Sequence, residues 1–179
     1  MQISLSSDYF ELFDLPKQFA VDEQKLKQRY MELQRVTHPD KFAAATEAER
    51  RWSVQAAAHI NSAHETLAKP LARATYLLKL NDIDLDVETD TQMAPDFLMT
   101  QMELREAIEE IPSAGDPYQA VDKVRKLIRS EIVTVTDAFD SSFTAADFAA
   151  SRNNAREWQF LDKLLREVGD VEARLDDEV

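Results

Sequence analysis

Residues 22–42 read DEQKLKQRYMELQRVTHPDKF, and this stretch decides the fold of the first half of the chain. After Asp22, apolar residues recur at the spacing of one helical face: Leu26, Tyr30 and Leu33. The pattern predicts a helix that begins just after the aspartate. This helix must end by Thr37, because the residue before Pro39 is sterically kept out of the α region.

A second, longer helix is predicted to follow. Thr46 and Glu49 have the spacing of a capping box, so the helix should begin there and run to about Lys69. Its inward residues are expected to be Val54, Ala57, Ile60, Ala63 and Leu67. The two helices would form an antiparallel hairpin that displays the tripeptide at residues 38–40 at its tip.

Short helical elements should complete this half. Residues 8–15, DYFELFDL, predict an apolar turn or short helix. Pro70 suits the first turn of another short helix. Backbone amides in the first turn have no partner within the helix, so the missing amide hydrogen of proline costs no hydrogen bond there. The residues expected to close the core from that helix are Leu71, Ala74, Leu77 and Leu78.

The composition agrees with an all-α fold. Only 2 glycines and 6 prolines occur in 179 residues, so tight strand turns have little material. No cysteine is present, which excludes disulfides, thiolate nucleophiles and cysteine-ligated metal centres. No run of about 20 apolar residues occurs, and the start of the chain has no leader pattern, so we expect a soluble, cytoplasmic protein that does not bind membranes.

Charge is distributed unevenly along the chain. Residues 1–80 carry eleven Lys and Arg against ten Asp and Glu, whereas residues 81–179 carry ten against twenty-four. The net charge of -13 also disfavours nucleic acid as a partner, because phosphates would be repelled. We therefore predict a first domain at residues 1–80, an acidic connection at 81–91, NDIDLDVETDT, and a second domain at 92–179.

The second domain is predicted to be a three-helix bundle. Pro95 should open its first helix, which ends before the IPSAGDP segment. Asp116 or Pro117 should open the second helix, which continues to about Phe139. Thr144 with Asp147 is expected to cap a third helix that runs towards Leu175.

The first helix of this bundle carries an unusual outer face. At about 100° per residue, the core stripe consists of Phe97, Leu104, Ile108 and Ile111. Three other apolar residues, Leu98, Met99 and Met102, do not join that stripe. Both methionines project to the side that also carries Glu103, Glu106 and Glu110. An apolar patch rimmed by acids indicates an interaction surface, unless the patch packs against another part of this chain.

The tripeptide His38-Pro39-Asp40 allows more than one interpretation by itself. A metal site would need further ligands, but His59 and His64 are five residues apart and do not share a helical face. A nucleophilic site would need a nucleophile on an exposing turn, which the sequence lacks. We therefore predict no catalytic residue, no metal and no cofactor.

Residues 30–42, YMELQRVTHPDKF, together with 60–78, INSAHETLAKPLARATYLL, resemble the J domain of the Hsp40 co-chaperones. The resemblance implies that His38, Pro39 and Asp40 stimulate ATP hydrolysis by an Hsp70 partner. It also implies a basic docking face on the preceding helix, extended by Lys41. The cations that match this face are Lys25, Lys27, Arg29 and Arg35, whereas Met31 and Glu32 stand where many family members have cations.

The resemblance extends over most of the chain. DYFELFDLP, FLMTQMELRE and the late WQFLDKL make the sequence similar to the HscB family of J-domain co-chaperones in bacterial iron-sulfur cluster assembly. This implies two partners, the specialised Hsp70 HscA and the scaffold IscU. The scaffold-binding positions implied are Leu98, Met99, Met102, Glu103, Glu106, Glu110 and Phe160. The last of these, Phe160, would also suit a core aromatic.

Two other functions remain open from the sequence. A general-folding J-domain co-chaperone would bind unfolded clients broadly and tolerate charge changes around Met102. A metal-dependent hydrolase using His38 and Asp40 would bind a divalent metal and turn over without a partner.

Overall fold

The computed structural model describes residues 4, 6–85 and 94–177. The chain divides into two compact units, Met1–Leu80 and Asn81–Val179. Helices account for all regular structure in the described ranges, which confirms the predicted all-α class.

The described residues of the first unit form four α-helices, and the second and third of them pack as an antiparallel hairpin at its centre. In chain order they are α1 (Tyr9–Leu12), α2 (Glu23–Thr37), α3 (Glu47–Ala68) and α4 (Pro70–Lys79). The antiparallel pairing follows from cross-helix contacts: the ring of Tyr30 stacks on that of His64 at 4.0 Å, and Gln34 donates to the Asn61 side chain at 3.0 Å.

The predicted starts of α2 and α3 are confirmed. The Asp22 carboxylate accepts hydrogen bonds from two backbone amides of the first turn of α2, those of Gln24 and Lys25. Thr46 and Glu49 form the complete capping box at the start of α3. Each cap satisfies amides that have no partner inside the helix, which fixes where the helix begins.

The predicted inner face of α3 is confirmed at Ile60, Ala63 and Leu67 but wrong at its first two positions. Val54 is 57% exposed and Ala57 is only half-buried. The inner row is instead Ser53, Ala56, Ile60, Ala63 and Leu67. A serine can occupy the core here because its hydroxyl donates to the carbonyl of Arg50 at 2.9 Å, so burial leaves no unpaired polar group.

Helix α4 begins at Pro70 as predicted, and three of its four expected core residues are buried. Leu71 is only half-buried. The helix also holds α1, since the hydroxyl of Tyr76 accepts from the Tyr9 amide at 3.0 Å and the two rings stack at 4.4 Å. The N-terminal segment is thereby fixed to the hairpin.

The second unit is the predicted three-helix bundle, formed by α5 (Pro95–Glu109), α6 (Pro117–Thr144) and α7 (Phe148–Asp177). The predicted core stripe of α5, which consists of Phe97, Leu104, Ile108 and Ile111, is buried. Ile111 lies in a short 3₁₀ turn between α5 and α6.

The turn between α6 and α7 differs from the prediction. Thr144 is the last residue of α6 rather than a cap, and the Asp147 carboxylate alone accepts from the Ala150 amide at 3.0 Å. Ala146 has a φ of 58°, in the left-handed region, where it reverses the chain. Helix α6 also continues beyond its predicted end at about Phe139, because residues 140–144 contain no glycine or proline.

The acidic connection predicted at 81–91 is described only as far as Leu85, and residues 86–91 lie outside the described ranges. Leu85 is buried, and Arg152 of α7 donates to the carbonyl of Asp84 at 3.1 Å. The described start of this segment therefore packs on the second unit. Among the described helices, none is long and apolar enough to cross a membrane.

Candidate functional site: two interaction faces

The loop between α2 and α3 holds the tripeptide in a defined backbone conformation. The last residue of α2, Thr37, is fully buried, and its hydroxyl donates to the Leu33 carbonyl at 2.9 Å. His38 is extended, with φ -55° and ψ 127°, as expected before a proline. Pro39 then opens a 3₁₀ turn, Pro39–Phe42.

His38 and Asp40 contact each other and face solvent. Nδ1 of the imidazole accepts from the Asp40 amide at 3.3 Å and lies 3.5 Å from the Asp40 carboxylate. The two side chains are 59% and 90% exposed. An imidazole that accepts at Nδ1 carries its proton on Nε2 in the neutral form, so the outer edge of the ring presents a hydrogen-bond donor.

The far end of the loop is held by an aromatic pair. The ring of Phe42 packs edge-to-face against Trp52 of α3, with 5.8 Å between ring centroids. The Lys41 amide also donates to the His38 carbonyl at 3.0 Å. The tripeptide is therefore fixed on both sides, although its own side chains are free to meet a partner.

The cations predicted on this face are not equivalent. Lys25 contacts the carboxylate and carbonyl of Asp14, and Arg29 pairs with Glu32 at 2.8 Å. Within the described ranges, three of the cations have no ion pair: Lys27, Arg35 and Lys41. Of these three, Arg35 and Lys41 line the groove beside the tripeptide, whereas Lys27 lies near the start of α2.

Met31 lies between two of these cations. It is four residues from both Lys27 and Arg35, which places all three on one face of α2, and it is 57% exposed. Beside it, an open groove of about 480 Å³ is lined by Met31, Gln34, Arg35, His38, Asp40 and Lys41. The face combines an apolar side chain, cations and the tripeptide.

A second candidate face lies on α5. Leu98, Met99 and Met102 are 45%, 62% and 71% exposed, so none of them lies in the core of the bundle. The acids that accompany them, Glu103, Glu106 and Glu110, are also exposed. The apolar residues and acids lie opposite the buried stripe of the helix, as the sequence predicts.

Phe160 of α7 occupies the border between this face and the core. Its half-buried ring packs edge-to-face against Phe97, with centroids 6.0 Å apart. The guanidinium of Arg105 lies over the same ring, 5.2 Å from its centroid. The ring therefore contacts the buried Phe97 and also the exposed side chain of Arg105.

Arg105 is a residue of this face that sequence reasoning missed. It follows Leu98 by seven residues and Met102 by three, so a helical projection places it on the edge of the patch that faces α7. Arg105 has the sign of charge opposite to that of the rim, so a pattern of apolar residues and acids does not include it.

The described residues contain no group of three or more histidine, aspartate or glutamate side chains that could hold a metal ion. His59 and His64 lie on α3 and contact aromatic rings: Tyr9 at 5.5 Å and Tyr30 at 4.0 Å. They are distant in the helix from the tripeptide loop and do not extend it into a ligand set.

Comparison with known proteins gives the same organisation. Residues 93–169 match the family model described as the HSCB C-terminal oligomerisation domain. The co-chaperone protein HscB homologue of Cupriavidus taiwanensis is 42% identical over 97% of this chain and 98% of its own length.

Solved structures agree as well. The chaperone HscB from Vibrio cholerae has a TM-score of 0.82 at 37% identity, covering 94% of this chain and 99% of that one. The human co-chaperone protein HscB has a TM-score of 0.85 at 30% identity, covering 93% and 83%.

A helical hairpin that displays His-Pro-Asp at its tip, on a chain that continues into a helical bundle, defines the class of J-domain co-chaperones. Within that class, this chain belongs to the HscB family.

Proposed function

We propose that this chain binds the iron-sulfur scaffold IscU through the outer face of α5 and delivers it to the specialised Hsp70 HscA, whose ATPase it stimulates through the loop at residues 38–40. The family membership supports the general co-chaperone role. The observation that carries the finer assignment is the pair of separate, exposed faces, one basic with the tripeptide and one apolar with an acidic rim.

The first face suits an allosteric effector. ATP hydrolysis takes place in the Hsp70, so the loop acts by binding one state of that partner more tightly than another. The buried Thr37 and the Phe42–Trp52 pair hold the loop before binding, which lowers the entropy lost on docking. A coupling of about 1 to 3 kcal/mol, which is typical of allosteric effectors, corresponds to roughly a 5- to 150-fold difference in affinity between the two states.

The predicted basic face would bind the Hsp70 mainly through the cations that form no ion pair within the described residues. Lys27, Arg35 and Lys41 can meet acids of the Hsp70 without first breaking a contact within this chain. Lys25 and Arg29 are already engaged by Asp14 and Glu32, so their contribution should be smaller.

The second face suits recognition of a protein rather than of a cluster. Without cysteine, this chain offers no thiolate to an iron-sulfur cluster, so the cluster would remain on the scaffold as cargo. Exposed methionines adapt to an apolar partner surface, while the three glutamates set its orientation by charge. The proposal includes the cytoplasmic location expected from the sequence.

The decisive experiment measures HscA ATPase turnover with and without IscU, in the presence of this chain, its Asp40→Asn variant and its Met102→Lys variant. The first variant should lose stimulation altogether, and the second should lose only the part that depends on IscU. If unfolded peptide replaces IscU equally well for the wild-type chain, the protein is a general-folding co-chaperone and the cargo assignment is wrong.

A further inference from the structure

Arg105 is the only lysine or arginine of helix α5, whose other charged residues are all acids. Its exposed guanidinium lies 5.2 Å from the centre of the Phe160 ring, a distance typical of a cation–π contact. Phe160 is in turn held by its edge-to-face packing on Phe97. The ring therefore gives the guanidinium a fixed place at the border between α5 and α7.

The charge of Arg105 is not neutralised by the acids that lie near it. Glu109 follows Arg105 by one helical turn, and Glu157 precedes Phe160 by three residues on α7. Neither pairs with the guanidinium. Among the described residues, Arg105 makes no ion pair, and no side chain or carbonyl accepts a hydrogen bond from its guanidinium. All its N–H donors are therefore available to a partner.

Helical spacing places Arg105 among the apolar residues of the outer face of α5. Leu98 precedes it by seven residues and Met102 by three, so both lie on the same side of the helix. The rim acids lie about 100° to 160° further round the helix at about 100° per residue: Glu103, Glu106 and Glu110. One edge of the face thus carries an unpaired cation, although Glu109 lies close to it, and the opposite edge carries acids.

A partner that covers Leu98, Met102 and Phe160 must also cover the guanidinium between them. A cation that is removed from water without a counter-charge is strongly destabilising. Two arrangements avoid this cost. Either the partner supplies an acceptor to Arg105, or the arginine leaves the ring when the partner binds.

The contact with Phe160 favours the first arrangement. A guanidinium can rest its face on a ring and still direct its in-plane N–H groups to another molecule. A carboxylate is the acceptor that matches this planar fork, because it can accept two parallel hydrogen bonds. The ring also restricts the arginine before binding, so less side-chain entropy is lost in the complex.

We infer that Arg105, held on the ring of Phe160, donates to a carboxylate of the scaffold and determines the orientation in which the scaffold binds. This inference rests on the proposed function and adds the chemistry of the partner surface. That surface should carry apolar residues against Met102, cations against the rim acids and one acid against Arg105. A scaffold turned round on the face would bring its acid against the glutamates, where like charges repel.

The first test is calorimetric titration of the full chain with purified IscU. Arg105→Met keeps a long apolar side chain on the ring but removes the charge, and it should lower the affinity by about tenfold or more. Arg105→Lys keeps the charge without the planar fork and should lie between this variant and the wild type.

The matched control is Arg129→Met, which removes the same charge from an exposed position on α6 and should change the affinity by less than about twofold. Thermal unfolding should give the same midpoint for all three variants, because the guanidinium of Arg105 is exposed.

A charge exchange between the two proteins tests the carboxylate directly. Arg105→Glu should bind wild-type IscU more weakly than Arg105→Met does, because two carboxylates then face each other. A set of IscU variants, each with one surface acid replaced by lysine, is titrated with the wild-type chain and with Arg105→Glu. One of them should bind the wild-type chain poorly and recover most of the affinity that Arg105→Glu loses. A purely structural role of Arg105 would not give recovery by one particular partner variant.

Three results would overturn the inference. Unchanged affinity of Arg105→Met would show that the cation makes no contact with the scaffold. Higher affinity would show that the arginine covers Phe160 and has to leave it. Loss of affinity that no IscU variant recovers would exclude a carboxylate as the acceptor.

The Met102→Lys variant separates this inference from the proposed function. If Met102→Lys loses IscU binding while Arg105→Met keeps it, only the role of Arg105 is wrong. If both variants bind as the wild type does, or if the wild type does not bind IscU, the outer face of α5 is not the scaffold site and the inference fails with the proposed function.

Discussion

The backbone amide of Asp40 donates to Nδ1 of His38 at 3.3 Å, so the two outer residues of the tripeptide hold each other in place. The contact uses the inner nitrogen of the imidazole and leaves the Asp40 carboxylate 90% exposed. The loop therefore presents one donor and one acceptor to a partner, at a spacing fixed by Pro39.

Replacing Asp40 by asparagine should abolish stimulation of the Hsp70 while leaving the thermal unfolding midpoint unchanged. The side chain has little contact with the rest of the chain, so its loss removes a partner contact rather than a fold contact. Steady-state ATPase assays and thermal unfolding check the two halves of this prediction. Glu47→Gln is the matched control, because Glu47 is also an exposed acid of this unit. Equal loss of stimulation in both variants would refute a specific role for Asp40.

Replacing Met102 by lysine should weaken binding of IscU by about tenfold or more without unfolding the bundle. A cation at a side chain that is 71% exposed costs little in the free protein, but it must be desolvated in an apolar interface. Calorimetric titration with purified IscU measures the effect. Val54→Lys introduces the same charge at an apolar side chain that is 57% exposed in the first unit, and it should leave IscU affinity intact.

Phe160 and Phe97 should respond differently to truncation. Phe97→Ala should destabilise the bundle by about 3 kcal/mol or more, because that ring is buried. Phe160→Ala should cost less in stability, about 1 to 2 kcal/mol, and should lower IscU affinity at temperatures where the variant is folded. Denaturant unfolding and titration separate the two effects. A Phe160→Ala variant with unchanged affinity would make this residue a core aromatic only.

Replacing Phe42 by alanine should reduce stimulation without removing the tripeptide. The ring pair with Trp52 holds the end of the loop, and such pairs contribute about 0.5 to 1.5 kcal/mol. A less ordered loop loses more entropy on docking, so the Hsp70 should require a higher concentration of the variant for half-maximal stimulation. Stimulation at saturation should stay close to that of the wild type, and a lower plateau would contradict the prediction.

Mild acid should destabilise the first unit through His64. Burial of this ring against Tyr30 lowers its pKa below the usual value of 6.5, so the folded state favours the neutral imidazole. As pH falls below about 6.5, the unfolded chain takes up a proton that the folded chain resists, and stability decreases until the folded-state pKa is passed. Thermal midpoints at about pH 7.5 and 5.5 should differ less in His64→Phe and His64→Gln than in the wild type. An unchanged difference in both variants would exclude His64 as the cause.

Helix starts and faces were predictable where side chains of distinct chemistry fix them. Asp22, Thr46 and Pro70 each satisfy or remove amides at a helix start, a local effect that depends on few residues. The outer face of α5 was predictable because methionines and glutamates alternate with a clear apolar stripe.

Predictions failed where neighbouring residues have similar side chains, because the sequence then does not show which of them is buried or which of them caps a helix. Residues 56–58 of α3 are three alanines, so small side chains cannot show which side of the helix is inner, and the buried serine misleads hydropathy. Thr144 and Asp147 both have capping chemistry, and only the backbone turn through Ala146 decides between them. Arg105 and Phe160 meet where α5 packs against α7. The spacing of residues within α5 alone does not determine how these two helices pack.

The exposed methionines of α5 also make this surface sensitive to oxidants. Conversion of Met99 or Met102 to the sulfoxide would turn a flexible apolar group into a polar one without changing the fold. Because the chain has no cysteine, hydrogen peroxide would act on thioethers, and among the described methionines Met99 and Met102 are somewhat more exposed than Met31. Oxidation of Met99 or Met102 would thus weaken the proposed binding of the scaffold without altering the tripeptide itself, and methionine sulfoxide reductases could reverse the change.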